Sequence, residues 1–294
     1  MPYFLIIEKE SVALVATTTA YRTQMGLMGC YQSGHRYRKT PRNSVDSRHF
    51  RHFGTDSHCI KHCVLIDPCM GSGHILIAMF DVLMDIYESA GYDKREAAFE
   101  IVEHNIHGLD IDQRAYQLAY FAVMMKGRGY NRRFLRGRDG KPEPKVYAIT
   151  ESNEINRNHL KFFGTHLSEM ERNLAVMQIE GLLDTFIDAR EYGSILNVDA
   201  CDWDVLERFV EDLGTAGQIS FESVGSEETQ ENLRKLVQVA KNLGQKYDAV
   251  VTNPPYMGAS NMNATLSKFI KDNYADYKSD FFSAFIVKCS ALVE

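Results

Sequence analysis

Val64-Leu65-Ile66-Asp67-Pro68-Cys69-Met70-Gly71-Ser72-Gly73-His74-Ile75-Leu76 decides the fold. Val64 to Ile66 is a short apolar run of the kind buried in a parallel sheet. Glycines at 71 and 73 then allow a tight turn and the close approach of a ligand to the backbone. From His74 to Ala90 the pattern is helical, with Leu76, Met79, Leu83 and Ile86 on one face and a stop at Gly91. Strand, glycine turn and helix together specify an α/β nucleotide-binding unit. A dinucleotide site wants a third glycine where this chain has Leu76. Asp67 at the strand tip would repel a pyrophosphate, yet it suits the positively charged end of a sulfonium amino acid. S-adenosylmethionine fits this turn; NAD fits it poorly.

A second stretch carries the chemistry. The apolar run Tyr247 to Thr252 leads directly into Asn253-Pro254-Pro255-Tyr256. An aromatic amino nitrogen is a poor nucleophile because its lone pair is delocalised into the ring. Two acceptors aimed at its two N–H bonds draw it toward tetrahedral geometry and stabilise the charge that grows during methyl transfer. The side-chain oxygen of Asn253 is one such acceptor and the Pro254 carbonyl the natural second. Proline fixes φ and brings no competing donor, and a residue before proline is held extended. Tyr256 adds a flat face on which an extracted base can stack. The plain alternative is a turn closing a strand, since Asn and Pro are ordinary turn formers.

With both stretches quoted, the chain resembles the amino-group, adenine-specific DNA methyltransferases, in the γ order with the cofactor motif first. The likeness is closer still to the large methyltransferases of BREX-type phage-defence systems. It is carried by Asp67 to Leu76, by Gly108-Leu109-Asp110-Ile111-Asp112-Gln113-Arg114-Ala115-Tyr116-Gln117-Leu118-Ala119 and by Ser279-Asp280-Phe281-Phe282-Ser283-Ala284-Phe285, and it covers roughly residues 64 to 294. The resemblance implies an α/β fold: a Rossmann-like, S-adenosylmethionine-dependent methyltransferase parallel sheet, present as its first four strands, with a helical insertion. It implies that Asp67, Pro68, Gly71 and Gly73 hold the methionine end of the cofactor, and that Asp110, after the run Ile106 to Leu109, takes the ribose hydroxyls. Asn253, Pro254, Pro255 and Tyr256 become the catalytic tetrapeptide, no metal is called for, and the substrate becomes double-stranded DNA with a flipped adenine. Other phage-defence subunits are partners of the kind such systems supply.

Between the motifs the patterns are mostly helical. Asp93 to Glu103 opens on an Asp93…Glu96 capping box and should bury Ala97, Ile101 and Val102. Asp112 suits the cap of the next helix, with Ala115, Leu118, Ala119 and Ala122 as its buried stripe, although Asp110 could be that cap instead. Two runs compete for the third strand: Val146 to Ile149, ending at Glu151, and Ser194 to Val198, ending at Asp199. Either acid could meet the adenine ring of the cofactor, and Asp199-Ala200-Cys201-Asp202-Trp203 resembles the family's third motif. A Ser168…Glu171 capping box opens a helix between them, with Leu174, Leu182, Leu183 and Phe186 inward. Residues 64–294 thus read as a partial methyltransferase catalytic domain with an insertion at about 127–193, and residues 1–63 as a poorly defined N-terminal segment.

Composition sets the outer bounds. The 294 residues carry a net charge of −6, which gives no global pull toward nucleic acid. Six cysteines without regular spacing, no signal-like segment and no long apolar run indicate a cytoplasmic protein. His58, Cys59, His62, Cys63 and Cys69 are zinc-ligand types, but their spacing fits no common finger and Cys69 lies in the cofactor turn. Arg128, Arg132, Arg133, Arg136, Arg138 and Lys141 surround a glycine-rich turn; a solvated loop is the default, phosphate contact the alternative. The stretch Tyr31 to His58 is rich in Arg and His and poor in apolar residues, as a loop or disordered segment would be. Thr40-Pro41 echoes a pair upstream of the family's cofactor motif. The chain ends at Glu294, soon after the run Asp280 to Val287, which suggests the N-terminal portion of a longer enzyme whose Val250–Val251 strand is left as a bare edge. Two other functions stay open: N-methylation of protein glutamine or RNA bases, since the tetrapeptide serves any planar amine, and an inactive, truncated remnant.

Overall fold

The computed structural model describes residues 3–8, 11–16, 58–138, 140–212 and 224–293. Residues 31–57 of the Arg- and His-rich stretch, with the Thr40-Pro41 pair, lie outside the described residues. The sheet is built from β1 (Tyr3–Glu8), β2 (Ser11–Ala16), β3 (Leu65–Asp67), β4 (Ile106–Asp110), β5 (Lys145–Ala148) and β6 (Ala249–Thr252). Its order is β2-β1-β6-β3-β4-β5. The four strands β6, β3, β4 and β5 are mutually parallel, and the β1-β2 hairpin adds to β6 antiparallel.

Strand side chains alternate between two cores, as the pleat requires of a sheet covered on both faces. Leu65, Ile106, Val146, Ala249 and Val251 belong to one cluster; Ile66, Leu109 and Val250 belong to the other. The first core is closed by α1 (His74–Ser89), α2 (Lys94–Glu100) and α3 (Gln113–Tyr130). The second is closed by α4 (Glu169–Thr185), α5 (Trp203–Glu211), α6 (Ser226–Gly244), α7 (Ala264–Asn273) and α8 (Phe281–Leu292). Among the described residues no helix is long and apolar enough to cross a membrane.

Local signals held where the chain stays near its own caps. Ser168 and Glu171 form the reciprocal capping box that opens α4. Asp93 caps α2 by accepting from the Arg95 amide, without the reach-back from Glu96 that a capping box needs, and the chain continues as a π-helical turn over Ile101–Asn105. Asp112, not Asp110, caps α3.

Three further expectations are corrected. The buried stripe of α3 is Ala119, Val123, Met124 and Gly127, while Leu118 is 57% exposed. Ala119 sits against Gly73, and this close approach sets the helix phase; Leu118, about 100° round the helix, is turned out. The third parallel strand is Lys145–Ala148, so the block expected as an insertion at about 127–193 supplies part of the sheet. The competing run at Ser194–Val198 is no strand; Gly193–Ile195 closes as a 3-10 turn, and the helical addition on this face begins after residue 150. Finally, the Val250–Val251 strand is not a bare edge. Ile7 pairs with Val250 and Ile6 with Val251 along β1.

Candidate active site

Parallel strands bring their carboxyl ends to one side of the sheet, where ligands bind in open α/β folds. Register aligns Ile66 with Val250 and Asp67 with Gly108. Asp67, Asp110 and the Thr252–Asn253 junction therefore emerge side by side at the tips of β3, β4 and β6.

The turn after β3 is fastened to β4 by two bonds and closed on itself by a third. The Met70 amide donates to the Leu109 carbonyl (3.0 Å), the Gly71 amide to Asp110 Oδ2 (2.8 Å), and the Gly73 amide to the Met70 carbonyl (2.9 Å). Gly71 has φ +52°, a left-handed conformation, and a Cβ there would meet open space. Gly73 has φ +87°, and a Cβ there would lie 3.0 Å from Ala119 Cα, so this glycine serves helix packing. Asp110 uses one oxygen on Gly71 and the other on the Asp112 amide (2.9 Å), leaving a second lone pair on each. Pro68 is buried, and its carbonyl accepts from Ser194 Oγ, which ties the 3-10 turn at 193–195 to the glycine turn after β3.

Asp67 is fully buried. Its Oδ1 accepts from the Cys69 amide (3.0 Å) and from Thr252 Oγ1 (2.7 Å), while its Oδ2 has no hydrogen-bond partner among the described residues. Burial pushes its pKa up to about 7, against the two hydrogen bonds that lower it. The other buried side-chain atom without a partner among the described residues is Asn253 Oδ1. A buried acceptor left unpaired costs about 1–3 kcal/mol unless a ligand supplies the donor. Both such atoms lie at the strand tips.

Pro254 is buried, Pro255 half-buried, and Tyr256 is 58% exposed. The Tyr256 ring lies on Phe282 with centroids 5.1 Å apart and planes 15° from parallel. The loop is secured to the start of α8 by the Phe281 amide on the Met257 carbonyl (3.0 Å) and the Ala259 amide on the Ser279 carbonyl (3.2 Å). Asp280 caps that helix through the Phe282 amide.

Of the two candidate third acids, Glu151 is engaged by Arg190, its Oε1 accepting that residue's backbone amide (3.3 Å). Asp199 is exposed in the loop that follows the 3-10 turn, off the sheet. The basic stretch lies at the far end of the molecule. α3 starts beside Asp110 and its 18 residues run away for ~27 Å, so Arg128 and the turn beyond it sit at the opposite ends of the strands. Arg138 is bound to Glu100 and Glu103, and Lys141 lies over Tyr120. Among the described residues no group of three His, Cys, Asp or Glu could hold a metal ion.

Sequence reasoning passed over Thr252, Phe282, Ser194 and Ile111. Thr252 was the one polar side chain closing an apolar strand, which is a signal. Ile111 is 50% exposed directly after Asp110 and lies beside the turn at Gly193, an apolar surface next to a carboxylate. Ser194 gives no signal in one dimension.

Residues 104–294 match the family described as Eco57I restriction-modification methylase. The chain belongs to that family. It is 38% identical over 237 residues to the adenine-specific methyltransferase PglX of Lacticaseibacillus casei (strain Zhang), covering 80% of this chain and 19% of that protein. It is 35% identical over 249 residues to the adenine-specific methyltransferase BrxX of Escherichia coli O9:H4 (strain HS), covering 78% of this chain and 20% of that one. The chain therefore spans about a fifth of the length of these relatives. The matched residues include Asp110 and the Asn-Pro-Pro-Tyr loop, while Asp67 and the glycine turn precede them in the chain.

Proposed function

We propose that this chain is the cofactor-binding and amine-activating part of an adenine-N6 DNA methyltransferase using S-adenosylmethionine, acting in phage defence or restriction-modification. The observation that carries the reading is the pair of buried, unpartnered oxygens, Asp67 Oδ2 and Asn253 Oδ1, at neighbouring strand tips. Asp67 Oδ2 is an acceptor suited to the ammonium of a methionine moiety. The open space over Gly71 admits a ligand against the backbone, with Pro68 and Gly73 fixing that turn. The free lone pairs of Asp110 suit ribose hydroxyls, and Ile111 suits the cofactor's adenine. Glu151 is taken by Arg190, which favours Asp199 as the third acid, because its loop follows the turn bonded to Pro68.

When bound, S-adenosylmethionine supplies an electrophilic methyl group. The chain's own residues prepare the acceptor. Asn253 Oδ1 and the Pro254 carbonyl take the two N–H bonds of the target amine and stabilise the positive charge that forms on nitrogen. Pro255 keeps Pro254 extended. Tyr256, stacked on Phe282, supplies the flat aromatic ring for a base flipped out of the duplex. The names of the relatives, both adenine-specific, favour adenine over glutamine in protein, and the restriction-modification family favours DNA as its carrier.

Kinetics in the full-length enzyme test the assignment. Asn253→Ala should lower kcat by about 10²-fold or more with cofactor affinity intact, because its acceptor acts in the transition state. Tyr256→Ala should weaken binding of DNA carrying a mismatched target adenine by ~1–3 kcal/mol. Wild-type turnover of Asn253→Ala would remove the amine-clamp role.

A further inference from the structure

We propose that Thr252 is the positioning residue of this site, its hydroxyl fixing the Asp67 carboxylate so that one oxygen alone faces the cofactor. The proposal deepens the methyltransferase reading and rests on it. Thr252 is fully buried at the end of β6, where a β-branched side chain suits the strand. Valine would fill the same space without the cost of burying a hydroxyl, which is large unless the hydroxyl is bonded. The bond it makes is specific. Thr252 Oγ1 donates to Asp67 Oδ1 at 2.7 Å, across two adjacent parallel strands.

That oxygen also receives the Cys69 amide at 3.0 Å, so both donors converge on Oδ1 and none on Oδ2. Two donors on one oxygen stop the carboxylate from turning about its Cβ–Cγ bond. They leave Oδ2 buried, unpartnered and fixed in direction. The next residue, Asn253, carries the second unpartnered oxygen. Thr252 thus joins the two halves of the site, with its side chain on the cofactor acid and its backbone leading into the amine clamp.

The same hydroxyl favours the ionised carboxylate, which burial opposes. The other groups facing Asp67 are Asp110 from β4, Cys69 from the turn and Cys289 from α8. Asp110 disfavours the charge on Asp67. Burial holds both thiols far above their usual range, so they stay neutral and do not titrate with it.

Calorimetric titration of the chain with S-adenosylmethionine between pH 6 and 8.5 is the test, with thermal melts in parallel. Thr252→Val should weaken binding about tenfold at pH 7.5, the effect of one hydrogen bond to a charged group. It should also shift upward the pH at which affinity is lost. Thr252→Ser, which keeps the donor, should match wild type on both counts, and Thr252→Cys, a weaker donor, should fall between Ser and Val. A lower melting temperature with unchanged affinity and pH course in Thr252→Val would reduce Thr252 to a packing residue and overturn the proposal. Binding in Thr252→Ser as weak as in Thr252→Val would overturn it as well. Failure of the wild-type chain to bind at any pH would instead remove the methyltransferase reading on which the proposal stands.

Discussion

At the residue scale the site is held in an unfavourable state that a ligand would relieve. Asp67 has a carboxyl pKa of about 7 when folded, against 3.8 for an exposed carboxyl. The folded chain therefore binds its proton more tightly than the unfolded chain does. Stability from this group is fully present below pH 3.8 and is lost as pH rises through about 7. Above that, the ionised group costs the ligand-free fold up to about 4 kcal/mol. Asp67→Asn removes the charge and keeps the shape. It is expected to raise the melting temperature at pH 7.5, to raise it far less near pH 4, and to abolish S-adenosylmethionine binding. Melts at the two pH values and one titration check all three. Such a trade of stability against function marks a site residue. Asp67 and Asn253 were both legible in the sequence, because an acid ending one strand and an Asn-Pro-Pro-Tyr ending another are one-dimensional patterns. Thr252 stood out only as a polar residue closing an apolar strand; its role and that of Phe282 lie in contacts across the sheet and between loop and helix, 185 residues apart for Thr252 and Asp67.

At the element scale the two glycines of the turn after β3 do different work. A side chain at Gly73 would press on the α3 backbone at 3.0 Å, whereas one at Gly71 would enter open space. Both positions have positive φ, a strain of order 1 kcal/mol for an ordinary residue. Gly73→Ala should add a backbone clash and destabilise by about 1–3 kcal/mol, seen in denaturant unfolding. Gly71→Ala should cost mainly the strain, yet lose cofactor affinity, because its methyl group occupies the ligand's approach. Equal losses of stability in both variants would contradict the division. α8 makes a separate trade. Lys288 is 5% exposed, donates to Asn197 Oδ1, and burial pulls its pKa from 10.5 to about 8. Here the folded state binds its proton less tightly than the unfolded state, so stability increases as pH rises from 8 to 10.5. Lys288→Met should therefore stabilise by up to about 3 kcal/mol at pH 7. The gain should fade as pH approaches 10.5, which melts across that range would follow. Helix caps such as Ser168 with Glu171 were readable because they are local. The phase of α3 was not, because it is set by Gly73, 46 residues before Ala119, in a packing contact.

At the scale of the whole molecule, the sheet carries the strand before the Asn-Pro-Pro-Tyr loop between a parallel and an antiparallel neighbour. β6 bonds to β3 on one side and to β1 on the other. Reading the sequence left β6 as an edge because Tyr3–Glu8 and Ser11–Ala16 are joined by Lys9-Glu10, which lacks the Asn-Gly or Asp-Gly signal that marks a hairpin. The pairing itself spans more than 240 residues, from Leu5 to Thr252, and no local pattern announces it. It has a mechanical consequence for the Asn-Pro-Pro-Tyr loop. Four residues of β1, Leu5 to Glu8, pair with Ala249 to Thr252, so the strand that ends in Asn253 is held along its whole length. Removing residues 1–16 would free one row of backbone donors and acceptors on β6, a template for pairing with another chain. The expected result is a lower melting temperature and concentration-dependent association, measured by light scattering, with cofactor affinity less affected than stability because Asp67 and Asp110 sit on β3 and β4. A deletion variant as stable and as monodisperse as the full chain would show that the hairpin is dispensable to the sheet.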